Sequence, residues 1–235
     1  MKQVALITGG ASGLGKATAE LLQTQGYQIV SLDLPCDVTK TEDVESAIAK
    51  VMKEHGNIRV CVNCAGIIAG ERIIGFEAPM ALEHFKRVID VNLIGTFNVM
   101  RCVSFAMRNL EPINEDGERG VIINTASIAA FEGQLGQVAY SASKGGVASM
   151  TLPAAREFAD FGIRVVCIAP GLFQTPMMAH LPEAAQEKLK QETLFPKRLG
   201  EANEYAQCVL DIIQNPMYNG CTLRLDGGVR LNRGK

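Results

Sequence analysis

The chain alternates short runs rich in Val and Ile with longer stretches in which apolar residues recur at helical spacing. The short runs have the length of strands buried on both faces, and the longer ones suit helices with one apolar stripe. This pattern predicts strands near Gln3–Thr8, Gln28–Asp33, Ile58–Asn63, Gly120–Asn124, Ile163–Ala169 and Thr222–Leu225. Helices are expected near Gly13–Gln25, Glu42–Glu54, Ala81–Asn109, Val138–Phe161, Pro182–Glu192 and Glu201–Gln214. Such alternation marks β-α units wound about a parallel sheet, so the expected fold is α/β, one domain over residues 1–235. Thr39 and Glu42 have the spacing of a capping box, which points to a helix starting there. Glu111–Gly120 is polar and contains glycine, and reads as a surface loop. Residues 173–199 lack strand character and hold Pro176, Pro182 and Pro196; they form either a mobile cover over a site or an ordinary surface excursion.

Charge and composition narrow the partners. Charged residues make up 20% of the chain and the formal net charge is −2, so there is no basic field to gather nucleic acid or anionic lipid. Small molecules or copies of the chain itself are the expected partners. The N-terminus enters an apolar run at Val4 without a basic leader or a cleavage site, and no uninterrupted apolar stretch approaches ~18 residues, so the expectation is a cytoplasmic protein without a membrane span. The seven cysteines are scattered and mostly set among Val and Ile, as buried free thiols would be. Cys61 and Cys64 form a C-x-x-C with no second pair, and His55, His84 and His180 are not at ligand spacing, so no metal is expected.

The first strand runs into Thr8-Gly9-Gly10-Ala11-Ser12-Gly13-Leu14-Gly15 and then a helical pattern. Glycines there allow main-chain N–H groups to approach a pyrophosphate, with the helix N-terminus adding positive potential. Asp33 ends the second strand 18 residues beyond Gly15, near the spacing of about 20 expected for a ribose-binding acid. Its carboxylate can accept both ribose hydroxyls and would repel a 2′-phosphate, which favours NAD over NADP; a turn role before Leu34-Pro35 is the other reading.

Tyr140 and Lys144 lie four residues apart on a predicted helix and share a face. A nearby ammonium favours phenolate and is expected to draw the phenol down into a range useful for acid/base work. Ser127 follows the fourth strand at its carboxyl end, where open α/β sheets bind ligands, and can orient a substrate oxygen beside Tyr140. Asn92 interrupts an apolar helical stretch; it either holds a water near Lys144 or caps a local bend.

Together, Thr8-Gly9-x-x-x-Gly13-x-Gly15, Asn63-Cys64-Ala65-Gly66, Asn92, Ser127, Tyr140-x-x-x-Lys144 and Pro170-Gly171 resemble the short-chain dehydrogenase/reductase family over essentially the whole chain. The resemblance implies a Rossmann-type doubly wound parallel sheet and a catalytic set of Asn92, Ser127, Tyr140 and Lys144. It places Ser12, Leu14, Asp33, Asp37, Val38, Cys64, Phe173 and Thr175 at positions that contact NAD, and Gln134 in the substrate pocket wall. Residues 120–134, 169–176 and 219–228 narrow the likeness to members that oxidise (3S)-3-hydroxyacyl-CoA with NAD in fatty acid metabolism, working as homotetramers. A broader alcohol or hydroxysteroid dehydrogenase, a 3-oxoacyl-carrier reductase and a non-catalytic dinucleotide sensor are the alternatives.

One stretch departs from the family. Only Leu34-Pro35-Cys36 separates Asp33 from the Asp37-Val38 pair that flanks adenine, where relatives place a helix and an edge strand. A six-stranded sheet lacking that strand is therefore expected, with the second strand at its edge. Four residue steps reach ~14 Å at most, enough to carry Asp37 and Val38 to the adenine site. The new edge should be shielded by the Pro35 loop or by a neighbouring subunit, because bare edges invite pairing.

Overall fold

A computed structural model of the chain describes residues 2–176 and 183–234. It has one parallel sheet of six strands: β1 Val4–Thr8, β2 Gln28–Leu32, β3 Ile58–Asn63, β4 Gly120–Thr125, β5 Ile163–Pro170 and β6 Thr222–Leu225, in the order β2-β1-β3-β4-β5-β6. The helices are α1 Gly13–Thr24, α2 Thr41–His55, α3 Leu82–Ile89, α4 Gly95–Met107, α5 Ala129–Glu132, α6 Val138–Phe158, α7 Glu183–Glu192 and α8 Ala202–Gln214. The strand order reverses between β1 and β3, which opens a crevice at the carboxyl ends of these strands.

Alternation along each strand sorts the core into two layers. Val4, Leu6, Ile58, Cys61, Ile122 and Val165 pack under α2, α4 and α6. Ala5, Ile7, Val60, Val62, Ile123 and Ile168 pack under α1 and α8. The four central strands are buried along their whole length, which explains why their sequences read as unbroken apolar runs.

The stretch expected as one helix over 81–109 is α3 and α4 joined by a π-helical turn, Asp90–Ile94. The widened turn contains Asn92, and Thr96 Oγ1 donates to the Asn92 carbonyl at 2.7 Å. The continuous run Leu82–Met107 is 26 residues and contains an 18-residue window of mean hydropathy 1.3, half of which is buried against the domain, as suits a core helix.

The capping box expected at Thr39 is absent. Helix α2 starts two residues later, and the Thr39 hydroxyl donates to Asp37 Oδ1 at 2.8 Å instead. A capping box does open α8, with Glu201 as the cap and Glu204 reaching back to it. Within the 173–199 excursion, Phe173 bridges to Gly200 at the root; residues 177–182, including the expected helix start at Pro182, lie outside the described residues.

The missing edge strand is as expected: β2 pairs with β1 alone. Among the described residues the expected shield is not seen. The turn after β2 closes with the Cys36 N–H on the Asp33 carbonyl at 2.9 Å, leaving Leu34 83% exposed and Pro35 exposed rather than folded over the strand.

Candidate active site

The glycine-rich turn joins β1 to α1. Gly9 has φ +70°, a conformation that L side chains rarely adopt, and a Cβ there would stand 2.9 Å from the Ala65 nitrogen. A Cβ at Gly15 would run into the Gly9 carbonyl. Only glycine permits this close packing of turn on helix, which leaves the start of α1 free to face a pyrophosphate. Ser12 is the N-cap residue of α1 with its side chain unused for capping, Leu14 packs against the α8 layer, and Gly13 lies within 3.8 Å of Thr175 for an added Cβ. Gly10, not singled out from sequence, is needed because a Cβ there would strike the Ser31 hydroxyl of β2.

Asp33 sits beside this turn, where its Oδ1 accepts from the Ala11 N–H at 3.3 Å. The short loop after it does bring Asp37 and Val38 back against the domain. Asp37 accepts from Thr39 at both nitrogen and hydroxyl, which hold its carboxyl below the ordinary range. Val38 is buried, and its carbonyl accepts from Asn98 Nδ2 at 2.9 Å. The position therefore survives the loss of a helix and a strand because α4 still holds it.

The ends of β3 and β4 are cross-linked. Asn63 Nδ2 donates to Asn124 Oδ1 at 2.8 Å, and the Ala65 N–H donates to Thr8 Oγ1 at 3.1 Å. Asn63 thus ties strands together. At Gly66 an added Cβ would stand 3.1 Å from Asn92 Oδ1 and 3.5 Å from Lys144 Nζ, so this glycine lets both approach the main chain.

The four residues expected to be catalytic converge here. Asn92 is fully buried; its Oδ1 accepts from the Ile67 N–H at 2.8 Å, and its Nδ2 donates to the Ile67 carbonyl at 2.9 Å and to Ser143 Oγ at 3.1 Å. It clamps the loop after β3 onto α6, one residue before Lys144. Ser143, buried and bonded to the Tyr140 carbonyl at 2.7 Å, was missed from sequence although it lies inside the Tyr140–Lys144 motif. The Ser127 hydroxyl accepts from the Ala129 N–H at 3.1 Å and lies near enough to Tyr140 to favour its phenolate.

The electrostatics differ from expectation. Burial holds the Tyr140 phenol above its ordinary range, with the Ser127 hydroxyl opposing. The Lys144 ammonium lies 5.8 Å from the phenol ring centroid and donates to the Thr125 carbonyl at 2.8 Å. Burial also pulls Lys144 down to about 8. The cation is therefore held behind the phenol and not directly on it.

Two further positions lie apart from this centre. The Phe173 ring is buried against Gly200, so it roots the excursion. Gln134 Nε2 donates to the Asn232 carbonyl at 3.3 Å, which ties the C-terminal tail to the segment between Ser127 and Tyr140. That tail is also fastened by Glu132, which accepts from Arg224 at 2.8 Å and from the Leu231 N–H at 3.0 Å.

Comparison with known proteins agrees with this geometry. The family model described as short chain dehydrogenase matches residues 32–186. Human 3-hydroxyacyl-CoA dehydrogenase type-2 is 51% identical over 249 aligned positions, covering 97% of this chain and 95% of that protein. The alignment is longer than the 235-residue chain, in keeping with the missing strand. A crystal structure of 3-hydroxyacyl-CoA dehydrogenase type-2 from Mycobacterium avium superposes with a TM-score of 0.92 at 36% identity, covering 98% of this chain and 97% of that one. A structure of ElxO with NADP bound gives 0.85 at 26% identity, covering 97% and 98%. The chain belongs to the short-chain dehydrogenase/reductase family and is an oxidoreductase acting on CH–OH groups with a nicotinamide dinucleotide.

Proposed function

We propose that this protein oxidises the hydroxyl of a (3S)-3-hydroxyacyl-CoA to the ketone, and runs the reverse reduction, with NAD. The observation that carries the reading is the convergence of Asn92, Ser127, Tyr140 and Lys144 at the carboxyl ends of the strands, with the Lys144 ammonium buried 5.8 Å from the Tyr140 ring. Gly9, Gly13, Gly15, Asp33, Asp37, Val38 and the 63–66 turn would hold the dinucleotide, whose nicotinamide supplies the hydride acceptor. Tyr140 takes the alcohol proton, because a phenolate opposite a developing ketone is the base the site can offer. Ser127 donates to the substrate oxygen as charge collects there. Lys144 opposes the cost of an anionic phenol in a buried site.

Asp33 supports NAD: its carboxylate flanks the glycine-rich turn, where a 2′-phosphate would meet like charge. The thioester half of the reading draws on the human and mycobacterial relatives and their names. The excursion rooted at Phe173 and Gly200 suits a substrate cover. Self-association is supported by a groove of about 440 Å³ between α4 and α6, where Phe97 and Phe105 are half exposed or more. Two such faces packed together would remove that surface from water, as in a homotetramer built on paired long helices.

The test is turnover with acetoacetyl-CoA and NADH against a steroid ketone and a simple ketone. Acetoacetyl-CoA should be the best substrate; faster reduction of either competitor overturns the thioester assignment, and faster turnover with NADPH overturns the role of Asp33.

A further inference from the structure

A largely buried hydrogen-bonded cycle includes Thr125, whose carbonyl holds Lys144. Tyr205 on α8 is completely buried, and its hydroxyl is 2.7 Å from Thr125 Oγ1. Thr125 Oγ1 donates to Cys64 Sγ at 3.6 Å, and Cys64 Sγ donates to the Tyr205 oxygen at 3.6 Å. With Tyr205 donating to Thr125, each of the three groups gives one proton and receives one. Closed chains of this kind polarise their members in one sense and resist removal of any of them.

The cycle adds the first turn of α8 to two strand ends already tied through Asn63 and Asn124: the last residue of β4 and the turn after β3. Thr125 also holds Lys144, and strand register explains how. The Ala126 N–H donates across to Ile168 of β5 at 2.8 Å, so by alternation the Thr125 carbonyl faces the β3 side. Pairing between β3 and β4 stops one residue earlier, at Asn63 and Asn124. The carbonyl is left without a ladder partner and takes the ammonium instead, at 2.8 Å.

Resting on the proton-transfer reading above, we propose that Tyr205, Thr125 and Cys64 are positioning residues that fix the ammonium of Lys144 and thereby set the pH at which Tyr140 can accept a proton. Tyr205 and Thr125 are buried away from the cleft surface. Their role passes through the carbonyl of Thr125, whose direction depends on the strand end that the cycle holds. The Cys64 thiol, turned toward Tyr205, also leaves the Cys64-Ala65-Gly66 main chain as the surface offered to the dinucleotide.

The test uses Thr125→Val, which keeps the branched shape and removes the hydroxyl, Thr125→Ser, which restores it, and Tyr205→Phe, which keeps the buried ring. Oxidation needs the phenolate, so its rate rises with pH through the titration of Tyr140. A looser ammonium raises that titration. Thr125→Val and Tyr205→Phe should move the rising limb of kcat to higher pH by about half a unit, the size that one neutral hydrogen bond carries, and Thr125→Ser should return it. A second readout needs no turnover: ultraviolet phenolate absorbance of each chain minus that of its Tyr140→Phe counterpart isolates the titration of Tyr140. The same upward shift is expected in the Thr125→Val background. If thermal stability falls while both midpoints stay in place, the cycle is merely structural and the proposal is wrong. If the absorbance midpoint shifts in a chain that oxidises no hydroxyacyl substrate, the positioning role stands and the reaction assignment fails.

Discussion

The two ends of the dinucleotide cleft are built to different standards. At the catalytic end, Asn92, Ser143, Lys144 and Thr125 are buried and each is held by another element of the fold. At the adenine end a helix and a strand of the family pattern are gone, β2 stands at the edge, and Leu34 and Pro35 lie exposed. What remains there is the Asp33 carboxylate beside the glycine turn, the Asp37 carboxylate held by Thr39 and one asparagine that holds Val38. The contrast teaches where this fold tolerates loss. Proton transfer needs several groups placed to fractions of an ångström, whereas the adenosine end is gripped piecewise, and a loop that ends in the same place can replace a longer path.

The largest effect is expected at Tyr140. Tyr140→Phe keeps the ring and the helix but removes the proton acceptor, so kcat should drop by about 10²- to 10⁴-fold. Dinucleotide binding, followed by nicotinamide fluorescence, should persist. Loss of binding together with turnover would mean that the two ends are not separable.

The adenine end is tested at Asp33. Asp33→Ala removes the charge that opposes a 2′-phosphate, and the preference for NADH over NADPH should fall by about tenfold or more, given the several kcal/mol that like charges in contact can cost. Paired KM measurements with the two cofactors check it. An unchanged ratio would assign Asp33 to the turn alone, through its bond to Ala11.

These two residues also show what could be read from the chain before its structure. The strands, the glycine turn, Asp33, Ser127, Tyr140 and Lys144 were legible because each signal is local: a run, a spacing, or a motif at a strand end. The Thr39 box failed because the Asp37 carboxylate competes for the Thr39 hydroxyl, a rivalry that the spacing does not encode. The direction of the Tyr140 shift failed because burial of the phenol, a property of the folded chain, dominates it, while the Lys144 ammonium goes to the Thr125 carbonyl. Tyr205 could not have been found from sequence: it lies 80 residues from Thr125 and reads as an ordinary apolar position of α8.

A finer probe of the adenine end is Asn98. Its amide donates to the Val38 and Lys40 carbonyls at 2.9 and 3.3 Å and so ties the shortened loop to α4. Asn98→Leu leaves a buried carbonyl unpaired and should lower stability by about 1–3 kcal/mol. Amide exchange should quicken in the 36–40 loop and the start of α2, and remain unchanged around Ser127. Uniform loosening of both regions would contradict the division drawn here.

The smallest effect is expected at Glu204, the exposed prop next to Tyr205. Its carboxylate accepts two bonds from Arg198, at 2.7 and 2.8 Å, and one from the Glu201 N–H at 2.8 Å, which hold it down to about 2. A carboxyl depressed on folding stabilises the native state above its ordinary pKa, and that contribution is lost as pH falls through the folded value. The window therefore runs from about 4.5 down to about 2. Because both side chains are 43% exposed, solvent screening keeps the contribution of the pair small. Glu204→Gln should lower Tm slightly at pH 7, and the difference from the parent chain should shrink as the pH is brought below 4. If Glu204→Gln instead shifted the pH profile of turnover as Tyr205→Phe is expected to, the start of α8 would belong to the proton-transfer support, and the well-built end would extend to the surface.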